Sequence, residues 1–179
     1  MSRCGVLVLL LMFGIIVAPA QQLDWDMSGW HEVDQAIGSL PVQDQLGIEH
    51  RLGAKPTDLR AMRVKTASGP IFIVQAVGFE DGWCSPTGNC SFWVLSGDYR
   101  ILLEKVTQTF KLLANVHGGL PDVMTSMHGS AFESGLSYWR FQGKHYVRVA
   151  CADAVYRDAD GNLFKEPHIS PYPCVGKGG

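Results

Sequence analysis

Cys84 and Cys90 bracket Ser-Pro-Thr-Gly-Asn and lead straight into the run Ser-Phe-Trp-Val at residues 91–94. Such a pair suits a nucleophilic or redox thiol, a metal clip or a crosslink. A reactive thiol needs a lowered pKa and solvent access, and the usual redox motif leaves two residues between its cysteines where five intervene here. Pro86-Thr87-Gly88-Asn89 is turn chemistry that lets the chain ends meet. A structural disulfide with Trp83 and Trp93 as apolar shoulders is the expected reading. Its rival is a thiol enzyme in which Cys90 is served by His128 or His145.

The stretch Met-His-Gly-Ser at residues 127–130 suggests a hydrolase, with Ser130 as nucleophile, His128 or His117 as base and Asp122 as orienter. Acyl transfer needs a nucleophile held against its base and donors at the oxyanion. The sequence has no Gly-x-Ser-x-Gly elbow, and a His two residues from a Ser more often marks a polar loop. The six histidines, at 31, 50, 117, 128, 145 and 168, form no pair with helical-face ligand spacing. Neither metal nor cofactor is therefore expected, although His117, His128 and His145 on neighbouring strands could converge. Asp158, Asp160 and Asn162 alternate around Gly161, but the pattern stops short of the distal ligands of a calcium loop. A turn between two extended pieces explains it better. Aromatic side chains dominate binding hot spots, so Trp83, Trp93, Trp139, Tyr138 and Tyr172 could supply a recognition surface, although core packing accounts for most of them. The candidate binding residues are Trp83, Asn89, Trp93, His128 and Trp139, with Trp83 the aromatic expected to be most exposed.

These residues sit in a chain of 179 with 15 basic and 17 acidic side chains, a formal charge of −2. That balance leaves no electrostatic footprint for nucleic acid. Residues 1–20 read as a cleaved export signal, with basic Arg3, an apolar run from Val6 to Val17 and a small-residue Ala18-Pro19-Ala20 cut site. The run is short for a membrane span, and no later segment holds eighteen uninterrupted apolar residues, so no span is expected in the mature chain. The expected location is periplasmic or secreted. Cys4 leaves with the signal, and Cys84, Cys90, Cys151 and Cys174 remain as an even set in an oxidising compartment. Of three possible pairings the local one is favoured, Cys84 with Cys90 and Cys151 with Cys174. Loop closure then contributes about 2.4 kcal/mol for the short loop and about 3.4 kcal/mol for the longer one.

The length after the signal suits one domain. Residues 21–55 read as a lead-in, poorly ordered from Gln21 to about Leu40 where Gly29 and Gly38 weaken any helix, with one short helix in Ser39–Gly53: Ser39 as cap, Pro41 in the first turn, Gly53 as stop. Residues 56–179 change to runs of Val, Ile, Phe, Tyr and Trp separated by Gly-containing turns, which predicts a disulfide-stapled antiparallel β domain. Strands are expected at Leu59–Thr66, Ile71–Val77, Ser91–Leu95, Tyr99–Val106, Thr109–Asn115, Asp122–His128, Leu136–Phe141 and Tyr146–Ala152. Tight turns are expected at Ser68-Gly69, Gly97-Asp98 and Gly143. Ile71–Val77 and Ser91–Leu95 are apolar on both faces and should be central. The fold class is mainly β, an antiparallel two-sheet sandwich or a curled barrel-like sheet of about eight strands plus one short N-terminal helix.

Two four-stranded repeats are an open alternative description. Laying residues 92–103 on 138–149 sets Phe92 against Tyr138, Trp93 against Trp139 and Gly97 against Gly143, and upstream Pro70 falls opposite Pro121. The stretches Cys84–Val94, His128–Phe132 and Tyr138–Cys151 resemble small exported bacterial proteins of uncharacterised function. That resemblance, over Leu59 to Cys174, implies secretion, disulfides and a β-rich domain, and it carries no activity. More loosely, the hairpins are similar to β-propeller repeats, but two units cannot close a propeller. The functional expectation is a non-catalytic secreted or periplasmic domain recognising an envelope protein or glycan in the manner of an inhibitor. The alternatives are the small hydrolase or thiol enzyme above, or a purely structural envelope component.

Overall fold

Strands of seven to twelve residues follow one another through connections of one to five residues, apart from the loop 77–89 between the second and third, and within each sheet neighbours in sequence pair antiparallel. The computed structural model describes residues 23, 25–26, 28–78 and 82–174; the expected export signal lies outside them. The first sheet is the meander β1 (Leu59–Thr66), β2 (Gly69–Ala76), β3 (Cys90–Ser96) and β4 (Ile101–Thr107), and it is curled. The second is β5 (Thr109–His117), β6 (Leu120–Ser130), β7 (Glu133–Phe141), β8 (Tyr146–Arg157) and β9 (Leu163–Tyr172). The sandwich expectation holds, with nine strands rather than eight. β9 was missed because it is largely exposed and carries Pro167 and Pro171, which weaken a strand signal while suiting an edge. The residues around Gly161 are the turn that delivers it, with Asp158 accepting from the Asn162 backbone and side chain.

Between the sheets lies the main core. Ile71, Ile73, Phe92, Val94 and Leu103 from the first sheet meet Phe110, Leu120, Val123, Trp139 and Tyr146 from the second. Phe92 and Phe110 face each other at 5.3 Å between ring centroids. The polar tips inside are satisfied, because Trp139 Nε1 donates to Thr125 Oγ1 at 2.9 Å and the Tyr146 hydroxyl to Pro121 O at 2.8 Å. The alternate residues Phe72, Val74, Trp93 and Leu95 point to the other face of the first sheet. A two-faced apolar strand requires a cover there, and α1 (Val42–Leu52) with the 3-10 turn Ile37–Ser39 supplies it through Ile37, Leu40 and Ile48.

The helix ends as expected at Gly53, whose φ of 65° is the left-handed cap conformation. Its start differs. Pro41 stands at the cap position, and the Ser39 hydroxyl instead donates to Ala36 O at 2.7 Å, because the chain is still in the preceding 3-10 turn. The first hairpin turn also shifts, to Ala67-Ser68, since Thr66 pairs with Gly69.

The described residues of the lead-in form a strap. Trp25 and Trp30 pack on Leu136, Ala152 and Ala154 of the outer face of the second sheet, and Lys111 Nζ holds Asp26 at 2.7 Å. His31 exchanges backbone hydrogen bonds with Phe110, at 2.8 and 2.9 Å, along the β5 edge. Val33 enters the inter-sheet core, Ala61 N donates to Gln35 O at 3.0 Å on the β1 edge, and Ile37 reaches the helical face. The strap thereby covers both sheets and blunts two edges.

The two meanders share connectivity but not side-chain register. Phe92 and Trp139 both face the inter-sheet core, whereas the repeat alignment matched Phe92 to Tyr138, which faces outward against Trp25. A register shift between Tyr138 and Trp139 in the β7–β8 ladder accompanies the offset.

Gln75 joins the parts. Its amide is buried, Oε1 accepting from Val33 N at 3.2 Å and Nε2 donating to Gln108 O at 3.0 Å. Gln75→Met keeps the length and removes both partners. The expected loss is about 2–4 kcal/mol of unfolding free energy, read from the urea midpoint, because two buried backbone groups are left unpaired.

Candidate functional site

Every odd-to-even hairpin turn falls at one pole of the sandwich, because each meander returns there: Ala67-Ser68, Gly97–Arg100, Gly118-Gly119 and Gln142–His145. Between them opens a cleft of about 400 Å³. Its floor is apolar and buried, from Ile71, Leu102 and Leu120, with the half-buried Phe141 as one wall. Its lip is polar, from Ser68, Ser96, Asp98 and Arg100, with Gly97, Gly118 and Gly143 offering bare backbone.

Close approach explains the small residues. A Cβ on Gly118 would come within 2.9 Å of the Phe141 ring, and one on Gly119 would collide with the Ser68 side chain. Both glycines have positive φ, 58° and 81°, the two-residue hairpin geometry whose twist matches the flanking strands. The Ser68 hydroxyl then donates across the sheets to Gly118 O at 3.0 Å.

The Gly97–Arg100 turn is built to hold charge in place. Ser96 N donates to Arg100 O at 2.9 Å, and Arg100 N to Ser96 Oγ at 3.0 Å. The Ser96 hydroxyl donates to Asp98 Oδ1, and Arg100 Nε donates to Asp98 Oδ2 at 2.9 Å. Those two donors, the Ser96 hydroxyl first, hold the Asp98 carboxyl below its ordinary pKa. Tyr99, expected to begin β4, instead takes a left-handed conformation with φ of 61°, which is strained for a bulky residue. Its ring pays out on the opposite side from the cleft: it stacks on Phe72 at 5.5 Å, lies against Gly47 of α1, and its hydroxyl donates to Asp44 Oδ1 at 2.9 Å.

Beside the cleft, on the outer face of the second sheet, lies a polar cluster. Asp122 is fully buried, with Oδ1 2.8 Å from His117 Nδ1 and Oδ2 3.0 Å from the Tyr138 hydroxyl. Arg140 Nε stands 3.6 Å from Oδ2, and Asn115 Nδ2 donates to the Tyr138 oxygen at 3.1 Å. A carboxylate only accepts, so His117 Nδ1 carries a proton and its ring, 38% exposed, presents Nε2. Burial first, together with the Asp122 hydrogen bond and charge, raises the Tyr138 pKa against the lowering pull of Asn115. Burial first and the Asp122 charge second push that of Tyr146 far above its usual value.

The residues singled out in the sequence separate. Cys84–Cys90 and Cys151–Cys174 are disulfides, the local pairing. The first crosslinks the loop at the pole opposite the cleft, where Trp83 is half-buried and packs edge-on to Trp93 at 5.4 Å; Tyr172, at 42%, is more exposed. Asn89 is buried and clamps the His128 backbone, accepting from its N–H and donating to its C=O, both at 2.9 Å. Trp93 is buried under α1 and Trp139 between the sheets, with Lys105 Nζ 5.2 Å from its ring. His117 and His128 lie near opposite ends of the β5–β6 hairpin and do not converge, while His145 stands in a turn at the cleft pole. Ser130 Oγ accepts from Phe132 N at 3.3 Å, and among the described residues no hydrogen bond joins it to a histidine. Of the hydrolase set, only His117 and Asp122 meet. The described residues contain no cluster of three metal-ligating side chains and no helix long and apolar enough to cross a membrane.

The cleft escaped sequence reading because its lining comes from four turns scattered over more than seventy positions. The signal was present only as Gly beside Ser, Asp or Lys at three of those turns and a Gly-Gly pair at the fourth. Compared with known proteins, the chain matches no family model, no curated protein and no solved structure.

Two outcomes test this geometry. Gly47→Ala raises helix propensity by about 1 kcal/mol, yet the added Cβ meets the anchored Tyr99 ring; a net loss of about 1–2 kcal/mol is expected in urea unfolding. A tyrosine whose folded pKa is raised stabilises fully below its unfolded pKa of about 10 and loses that contribution as pH rises above it. Unfolding free energy should therefore fall above pH ~10, and Tyr146→Phe should flatten that fall by about 1.4 kcal/mol per pH unit.

Proposed function

We propose that this chain is an exported, non-catalytic binding domain that recognises an envelope protein or glycan, in the manner of an inhibitor, at the cleft between its four hairpin turns. One observation carries the reading: charged, hydroxyl and bare-backbone groups from four separate turns converge around an apolar floor, the usual make-up of a ligand pocket. Two disulfides fit an oxidising, extracellular-type compartment, which supports a periplasmic or secreted location.

The catalytic alternatives have less support. Cys90 is spent in a crosslink, so the thiol version has no thiol. The His117–Asp122 pair is the observation that favours a hydrolase, since a buried carboxylate orients an exposed ring. Acyl transfer also needs a nucleophile held against its base, and among the described residues no hydroxyl or thiol side chain is hydrogen-bonded to that ring.

The test is retention from separated protein and glycan fractions of an envelope extract on immobilised mature protein. The doubly substituted Asp98→Ala/Arg100→Ala protein alters only exposed side chains, 66% and 63% accessible, and should fold. At least a tenfold loss of a retained partner is expected. Loss with Trp83→Ala instead would assign recognition to the stapled loop, and no retention by any variant would favour a structural envelope component.

A further inference from the structure

Resting on the binding reading above, we infer that the cleft takes a neutral saccharide ring, held by the Asp98–Arg100 pair at its lip and by the Phe141 face at its wall.

The charge at the lip cancels. Asp98 and Arg100 are paired at 2.9 Å, so neither an anion nor a cation gains a net Coulomb attraction from the two lining charges. What the pair offers is adjacent hydrogen bonding of both kinds. Arg100 Nε is committed to Asp98, which leaves the terminal guanidinium nitrogens as donors, while each carboxylate oxygen keeps acceptor capacity beyond the one donor it already has. A donor and an acceptor side by side match two neighbouring hydroxyls, each of which both donates and accepts. The turn hydrogen bonds from Ser96 hold this arrangement before any ligand arrives, and the anchored Tyr99 fixes the turn from behind, so little ordering cost remains on binding.

The wall supplies the other half of a sugar's chemistry. A pyranose carries hydroxyls around its rim and a patch of C–H bonds on its face, and the negative face of an aromatic ring attracts such polarised hydrogens. Phe141 lines the cleft, and Gly118 beside it has no side chain, where an added Cβ would come within 2.9 Å of the ring. Leu102, Leu120 and Ile71 below accept an apolar face and not a charged group.

Other occupants fit less well. The exposed large apolar side chains, such as Val42, Leu46 and Met127, lie outside the cleft lining, so the lip lacks the apolar contacts that a protein surface would use. An extended peptide would pair along a strand edge, whereas the polar groups lining this cleft come mainly from hairpin turns.

The experiment is a titration of isotope-labelled mature protein with glucose, galactose, mannose and N-acetylglucosamine and their β-1,4-linked disaccharides, followed by amide chemical shifts. Glucuronate and glucosamine serve as charged comparators. Saturable shifts at Gly97, Gly118 and Gly143 with at least one neutral sugar are expected, with affinity at least tenfold weaker in Arg100→Ala and about fivefold weaker in Phe141→Leu, which keeps an apolar side chain at that position. Unchanged melting midpoints in both variants exclude a folding defect; if Phe141→Leu melts early, Arg100→Ala alone decides. No saturable shift with any neutral sugar, tighter binding of a charged comparator, or binding indifferent to Arg100→Ala overturns the inference. Adding the envelope protein fraction to the same sample separates the two levels. If it moves the glycine amides where sugars do not, the ligand class is wrong and the cleft still binds; if neither does, both readings fall.

Discussion

A single buried amide ties the architecture together. Gln75 sits at the end of an otherwise apolar row on β2 and faces the space between the sheets, where a polar side chain is tolerated only if every hydrogen-bonding group finds a partner. It finds them on two backbones that the meanders leave unpaired: Val33 in the strap, and Gln108 at the corner where β4 of one sheet passes into β5 of the other. The same corner is locked by Thr107, fully buried, whose hydroxyl donates to Ser126 O at 2.6 Å. Together these bonds fasten the strap and the β4–β5 corner to the space between the sheets.

The strap completes what two meanders cannot do alone. Each sheet has apolar residues on both faces, and stacking the sheets buries only the inner pair of faces. One chain segment covers the others in passing, from Trp25 and Trp30 on one side through Val33 in the middle to Ile37 and α1 on the other. The two poles then have different characters. One is stapled by Cys84–Cys90 and clamped by Asn89 onto the His128 backbone, a rigid and largely self-satisfied end. The other carries a strained Tyr99, bare glycines and a preset charge pair around a cavity.

Much of the fold was legible residue by residue. Runs of Val, Ile, Phe, Tyr and Trp broken by Gly-containing turns after Pro56 placed eight of the nine strands, because branched and aromatic side chains suit a pleated, buried surface. Gly53 marked the end of α1, and the pairing of four cysteines by proximity in sequence was correct. Tyr99 was read as strand from its type, and only packing against Phe72, Gly47 and Asp44 makes the left-handed turn tolerable there. β9 was invisible because an edge strand with prolines lacks the pattern of burial that sequence reading relies on. The candidate site was barely legible: His117 and Asp122 were named, but as partners of a Ser130 that lies toward the other end of β6.

The residue order alone therefore determined the placement of most strands, the crosslinks and the two-faced nature of β2 and β3. All of these depend on local periodicity or on side-chain type, which a linear reading preserves. Tertiary structure alone decided that Asn89, Trp93 and Trp139 are interior, that the lead-in is a strap, and that Ser68, Asp98, Arg100, Gly118 and Phe141 share one cleft. Those facts depend on which turns the strand register and the inter-sheet packing bring to a common pole, and that information exists only once two sheets close on one core.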